Sequence, residues 1–298
     1  MRILVTGASG FIGSKIAMYL KNADALSCTV DNLDMKLGSD FCFDMSNSKW
    51  LTSLPLDYEY IIHCAAQSGG YISLIEPAKD CDWNCKATVN LMQFAKKNKN
   101  LKKIIYTSSM AVYGNGRKIT ENCPTNPISY YGVSKLAAEK YIKLGWEHDN
   151  IPFTIFRLWN TYGSGQDLNN PFQGMLSIYL SQALQSDIVE IKGDENRIRD
   201  FIHVDDVIDA VVHSMMERAK TDNEIFNLCT GVESTSKQVI EKIGQHLNKQ
   251  LSIKRISGYK GDQYHCSGVN TKLCSTGWSP IKTIDDGICE FVEYVKNA

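Results

Sequence analysis

The stretch RILVTGASGFIGSKIAMYLKN, Arg2 to Asn22, decides the fold. RILVT is a short apolar run rich in branched residues and reads as a strand. GASGFIG interrupts it, and the remainder reads as a helix. Gly7, Gly10 and Gly13 punctuate the junction. Gly7 permits a tight turn, Gly10 lets the backbone approach a pyrophosphate, and Gly13 lets the helix pack closely on the strand. The N-terminus of the helix, with Phe11 and Ile12 nearby as further cofactor-binding candidates, then offers unpaired N–H groups and a partial positive charge to phosphates. A glycine triplet alone serves any strand-to-helix turn. Its position after a strand, before a helix and early in the chain points to dinucleotide binding.

Working outward, the strand–helix alternation continues. SCTVD, FCFD, YEYIIHCA, KKIIYTSS and FTIFRLWN read as further strands. Residues 78–98 have helical spacing, with Cys81, Ala87, Leu91 and Phe94 near one face, and a second helix carries Tyr131. Such alternation predicts an α/β chain with a doubly wound parallel sheet. After Asn160 the pattern loosens into GSGQDLNNPFQG. Later come the helices MLSIYLSQALQ, VDDVIDAVVHSMMERA, TSKQVIEKIGQHLNK and TIDDGICEFVEYVKN, and the strands IVEIKG and EIFNLCTG. We expect a dinucleotide-binding domain over residues 1–165, to which about 203–228 return. Residues 166–298 should form mainly a smaller α/β substrate lobe.

Composition narrows the function. The 298 residues carry 32 Lys plus Arg against 33 Asp plus Glu, a net charge of −1. That balance disfavours nucleic acid and anionic membranes as partners. No stretch reaches the roughly 18 apolar residues that span a bilayer. The N-terminus lacks the long apolar segment of a secretory signal. The ten cysteines include no C-x-x-C pair, so we expect reduced thiols, no metal site and a cytoplasmic protein.

Two features carry chemistry. Asp31 is read as the end of the second strand, where a carboxylate accepts hydrogen bonds from the adenosine ribose hydroxyls and repels a 2′-phosphate. This favours NAD over NADP, although Lys36 is near enough in sequence to moderate the preference. In SYYGVSK, Tyr131 and Lys135 stand four apart on a helix, hence side by side. A free tyrosine titrates at about 10, too high for a base at neutral pH. A neighbouring ammonium, together with a positive nicotinamide ring, would lower that value. A shift of about three units corresponds to roughly 4 kcal/mol. Tyr130 lies on a different face.

The glycine loop and Y-x-x-x-K together resemble the short-chain dehydrogenase/reductase superfamily. The chain more closely resembles its extended branch, the NAD-dependent epimerase/dehydratase family of nucleotide-sugar enzymes. HCAAQ, YTSSMAVYG, NTYG, RDFIHVDDV, FNLCTG and GWSP extend the resemblance over essentially the whole chain. It implies a Rossmann sheet and NAD as cofactor. By the same resemblance Asn32, Asp44, Met45, Ala65, Ala66, Gln67 and Asn84 join the glycines, Asp31, Tyr131 and Lys135 in holding NAD. Ser109 polarises the reacting hydroxyl, Tyr131 removes its proton, and Lys135 holds the nicotinamide ribose. Arg199 grips the substrate diphosphate, with Ser68, Asn160, Lys260 and Asp262 around the nucleotide sugar.

Departures from the family pattern narrow the reaction. Dehydratases and nucleotide-uronate decarboxylases carry acidic residues just after the Ser109 position, and here stand Met110 and Ala111. SGGYISL resembles the double glycine of GDP-sugar 3,5-epimerases and GDP-fucose synthases, but their extra cysteine would stand at Met110. What remains is 4-epimerisation or simple 4-keto reduction or oxidation, and NAD favours the epimerase. The usual second diphosphate arginine is replaced by Tyr259, with Lys260 beside it. The resemblance also implies a homodimer, through Trp83 and Leu91 on one helix and Ala138 and Tyr141 on the other. All four would serve a core equally well.

Overall fold

A computed structural model describes residues 1–172, 174–258 and 263–297. Its strands, in chain order, are β1 (Arg2–Thr6), β2 (Thr29–Asp34), β3 (Phe41–Cys42), β4 (Tyr60–His63), β5 (Lys103–Ser109), β6 (Gly116–Ile119), β7 (Phe153–Leu158), β8 (Asn160–Tyr162), β9 (Ile188–Lys192), β10 (Ile198–His203), β11 (Glu224–Leu228), β12 (Glu233–Thr235), β13 (Ser252–Ile256) and β14 (Cys266–Gly268). Seven of them form one sheet in the order β11-β7-β5-β4-β1-β2-β3, and every pairing in it is parallel.

Strand periodicity explains why helices cover both faces of this sheet. Ile3 and Val5 pack on one side with Ile16, Leu20, Val207 and Val211. Leu4, one residue out of phase, packs on the other with Trp50, Leu91 and Phe94. Each such fully buried aliphatic side chain contributes about 1.5–3 kcal/mol. Helix Val204–Met216 lies in the first of these cores, and β11 pairs with β7 at the edge of the sheet.

A second sheet runs β12-β10-β14-β6, with β8 paired to β10, while β9 and β13 pair separately. Helices Ser236–Leu247 and Ile284–Lys296 pack on Met175–Gln185 and on β9 and β10. Both begin with a capping box, Thr235 with Gln238 and Thr283 with Asp286.

Three elements depart from the sequence reading. The expected helix over 78–98 is interrupted. It runs as Pro77–Cys81, a π-helical turn at Asp82–Lys86, and Ala87–Ala95. The run FTIFRLWN divides after Leu158, where Trp159 N bonds Leu228 O at 3.1 Å and the chain crosses to the second sheet. Finally, β2 does not end at Asp31. It continues to Asp34 because Leu33, not Asp31, pairs with Thr6 at the mouth of the glycine turn.

Candidate active site

A cavity of about 620 Å³ opens where β1, β2, β4, β5 and β7 end. Ligands bind at the carboxyl ends of parallel strands because the loops diverge there. One wall is the glycine turn. Gly7 has φ +69°, and a Cβ there would stand 2.5 Å from Ala65 N. A Cβ on Gly13 would stand 2.2 Å from Gly7 O, so only glycine lets helix and turn meet. A Cβ on Gly10 would meet a single protein atom, Gly7 O at 3.2 Å, so what it would obstruct is the cavity itself. Gly10 caps helix Phe11–Asn22 with no side-chain hydrogen bond. The opening N–H groups of that helix therefore stay available beside Phe11 and Ile12, which line the cavity. This cradle fits a dinucleotide's phosphates.

Asp44, Met45, Ala65, Ala66, Gln67 and Ser68 also line the cavity. Trp50 Nε1 and Asn90 Nδ2 bond Met45 O at 3.1 and 2.8 Å and fix its turn. Asp31 and Asn32 do not line it. The Asp31 carboxylate accepts from Arg2 Nε at 2.9 Å and Tyr58 Oη at 2.8 Å. Asn32 N bonds Asp40 Oδ2 at 2.8 Å. The cavity carboxylate at the end of β2 is Asp34, which accepts from Ser9 N at 2.9 Å in the glycine turn. The sequence DNLD offers two candidates three residues apart, and the register with β1 selects the second.

Asn84 also lies outside the cavity lining. It is buried in the π-helical turn, where Oδ1 accepts from Gln67 N at 2.7 Å. Its Nδ2 donates to Asp80 Oδ1 at 3.1 Å and Ser134 Oγ at 3.0 Å. It joins the loop after β4 to the helix that carries Tyr131. The π turn suits this, because an extra residue per turn re-aims a side chain within an otherwise regular helix.

Ser109, Tyr131 and Lys135 meet in the cavity. Ser109 ends β5, and its Oγ accepts from Ala111 N at 3.2 Å. Helix Tyr130–Asp149 starts with Ser129 as cap, whose Oγ accepts from Gly132 N at 3.1 Å. Lys135 Nζ donates to Thr107 O at 2.7 Å and stands 4.4 Å from the Tyr106 ring centroid. Burial pushes the Tyr131 phenol up to about 12, a hydrogen bond with Ser109 pulls it down, and the Asp80 charge pushes it up. Burial lowers Lys135 to about 8, against the opposing influence of Cys64, Glu139 and Asp80. In the protein alone the phenol therefore stands above its ordinary value, because loss of water dominates. The expected lowering belongs to Lys135 together with a positive nicotinamide ring.

The opposite wall differs more from expectation. Asn160 lines the cavity, with its Nδ2 bonded to Asp200 O at 2.7 Å. Arg199 does not line it. Its guanidinium is buried and donates to Ile198 O at 2.9 Å, Tyr264 O at 3.0 Å and Gln263 O. Tyr259, Lys260 and Asp262 lie outside the described residues. Trp159, Gln166, Asp167, Asn170 and Phe201, which the sequence reading did not single out, form this wall instead. The polar residues in GSGQDLNNPFQG were the available signal. Of the residues expected at a dimer contact, Leu91 and Ala138 belong to the core and Trp83 lines the cavity, whereas Tyr141 is exposed.

A glycine cradle at the end of β1, joined by one cavity to a Ser–Tyr–Lys constellation, defines a dinucleotide-dependent oxidoreductase site. The chain belongs to the NAD dependent epimerase/dehydratase family, whose profile matches residues 3–229. It is thus an NAD-dependent enzyme. It is 33% identical over 306 residues to a putative UDP-glucose 4-epimerase of Methanocaldococcus jannaschii, covering 99% of this chain and 98% of that one. A UDP-glucose 4-epimerase of Thermotoga maritima, solved with UDP-glucose, superposes with TM-score 0.91 at 28% identity over 100% of this chain and 99% of that one. A Thermus thermophilus UDP-glucose 4-epimerase in complex with NAD gives TM-score 0.87 at 25% identity, covering 100% of both chains.

Proposed function

We propose that this protein interconverts the C4 epimers of a nucleotide-diphosphate sugar. The observation that carries the reading is one cavity holding the glycine cradle, Ser109, Tyr131 and Lys135 together. Met110 and Ala111 supply no acid or base for elimination or decarboxylation. The Tyr131 phenolate accepts the proton of the sugar's C4 hydroxyl and returns it later. Ser109 hydrogen-bonds the same oxygen and fixes its approach. Lys135 holds the nicotinamide ribose. Bound NAD supplies hydride acceptance and return, and its positive ring opposes the rise that burial imposes on Tyr131. Asp34 binds the adenosine ribose. Residues 166–298 serve mainly as the substrate lobe, with about 203–228 returned to the first domain.

Two measurements test this together. Protein purified without added cofactor should carry NAD, and Tyr131→Phe should lose at least 10²-fold in turnover while keeping that NAD. Near-normal turnover in the variant would remove Tyr131 as base. Stoichiometric consumption of free NADH would replace the epimerase by a 4-keto reductase.

We also propose a homodimer through helix Tyr130–Asp149. Tyr130, Val133, Tyr141 and Leu144 recur at helical spacing and are all exposed. Light scattering at micromolar concentration should give twice the chain mass, and a monomer there would refute the contact.

A further inference from the structure

Helix Pro77–Cys81 packs against the helix that carries Tyr131 and brings a carboxylate, Asp80, into the protein. Asp80 is 1% exposed. Its Oδ2 accepts from Ser134 Oγ at 2.6 Å, and its Oδ1 accepts from Asn84 Nδ2 at 3.1 Å. Ser134 lies between Tyr131 and Lys135 on their helix. Asn84 holds Gln67 of the cavity wall. Among the described residues no basic side chain lies within ion-pair distance of Asp80. A buried charge is costly unless something nearby uses it.

We propose that Asp80 is a positioning residue whose charge sets the proton balance of the Tyr131–Lys135 pair and whose hydrogen bonds hold their helix. The proposal rests on the reading of Tyr131 as the base. The groups that face the pair support it. Tyr131 meets Ser109 and the field of Asp80. Lys135 meets Cys64, Glu139 and Asp80, and with them the Tyr106 ring and His63, both of which burial holds neutral. Burial pushes the Cys64 thiol up to about 11, so it is neutral. Glu139 is matched by Arg157, with bonds of 3.0 and 2.7 Å, and by Ser108 Oγ at 2.5 Å. Asp80 therefore stands as the least compensated anion near the pair. Its charge keeps the Lys135 ammonium protonated in a dry site and opposes ionisation of the phenol. The phenolate then forms readily only when a second positive charge enters, which ties base activation to cofactor occupancy.

Asp80→Asn isolates the charge. The new amide's oxygen can accept from Asn84, and its nitrogen can donate to Ser134 Oγ. The Ser134 hydrogen, released from Asp80, can turn to Tyr131 O, 3.0 Å away. The phenolate absorbance of NAD-loaded protein is titrated with Tyr131→Phe in the same background subtracted, alongside the pH profile of turnover. Loss of the anion lowers the apparent midpoints of both members of the coupled pair. The phenol midpoint in Asp80→Asn should fall by about half a unit or more. Ser134→Ala keeps the charge and should not lower the midpoint, though its melting temperature should drop. If Asp80→Asn does not fold, Asp80→Ser must show the same fall. An unchanged midpoint in a folded charge-removed variant overturns the proposal. A fall in the absorbance midpoint that the turnover profile does not follow sinks Tyr131 as base and leaves Asp80's charge effect standing.

Discussion

Along the rim formed by the glycine turn after β1 and the loop after β4 the cavity wall has much backbone, whereas along the rim formed by β8, β10 and residues 163–172 it is largely side chain. At the first rim Gly7, Gly10, Gly13, Ala65 and Ala66 carry little or nothing beyond the main chain. Their effect comes from turn geometry and from N–H groups at a helix start. At the second rim Trp159, Asn160, Gln166, Asn170 and Phe201 carry the surface. Backbone recognition is fixed once the turn forms. Side-chain recognition depends on where each long group points, and packing around its neighbours decides that. One chemistry can therefore be held constant at the first rim while the second varies its ligand.

Arg199 gives the sharpest way to break this contrast. If the second rim recognises substrate through the side chains that now line it, Arg199 acts by holding Gln263 and Tyr264 in place. Arg199→Ala would then take a donor from the part-buried carbonyls of Ile198, Gln263 and Tyr264, at up to about 1–3 kcal/mol for each before water and relaxation compensate. We expect a loss of about 2–4 kcal/mol of stability by denaturant titration, the largest effect predicted here, with NAD content unchanged. Nucleoside diphosphate affinity should fall less than stability does. A variant of wild-type stability that no longer binds the diphosphate would return Arg199 to direct substrate contact.

The unequal legibility of the two rims follows from the same physics. Gly7 and Gly13 could be placed from sequence because a Cβ would stand 2.5 Å from Ala65 N at the one and 2.2 Å from Gly7 O at the other. Tyr131, Lys135 and Ser109 could be placed because helix phase and a strand end dictate their faces. Arg199 could not. RDFIHV reveals a strand, but a guanidinium at its start has acceptors on both sides, and the carbonyls of Gln263 and Tyr264 come from residues more than sixty positions away. The motif position of Asn84 points to a cofactor contact. The π turn that directs it toward Gln67 and Ser134 leaves no mark in a helical repeat.

Asp34 tests the first rim from within. It is a carboxylate that lines the cavity beside Ser9 of the glycine turn. A carboxylate there selects an unmodified ribose by accepting its hydroxyls and repelling a phosphate. Asp34→Ala should weaken NAD by about tenfold, roughly 1.4 kcal/mol, and narrow its advantage over NADP, with Lys36 free to attract the extra phosphate. Equal affinity ratios in wild type and variant, measured by calorimetric titration, would assign Asp34 only to the turn.

The smallest effect is expected three residues earlier. Asp31 sits inside β2, where Arg2 and Tyr58 saturate one of its oxygens. The Arg2 side chain is about a third exposed, so solvent screens the ion pair and it contributes little. The Tyr58 phenol is fully buried and needs an acceptor, and its titration is pushed up by burial and by Asp31. Asp31→Asn retains an acceptor oxygen for that phenol and removes only the charge. Its cost should be about 1 kcal/mol or less in a denaturant titration. NAD affinity and the NAD-to-NADP ratio should both match wild type, because Asp31 does not line the cavity. The two substitutions are informative as a pair. Both remove a carboxylate from the same strand, so a difference in cofactor preference reflects chiefly where that carboxylate stands. A shift in preference for Asp31→Asn with none for Asp34→Ala would mean that β2 ends at Asp31 when cofactor is bound, with Thr6 paired three residues earlier along β2.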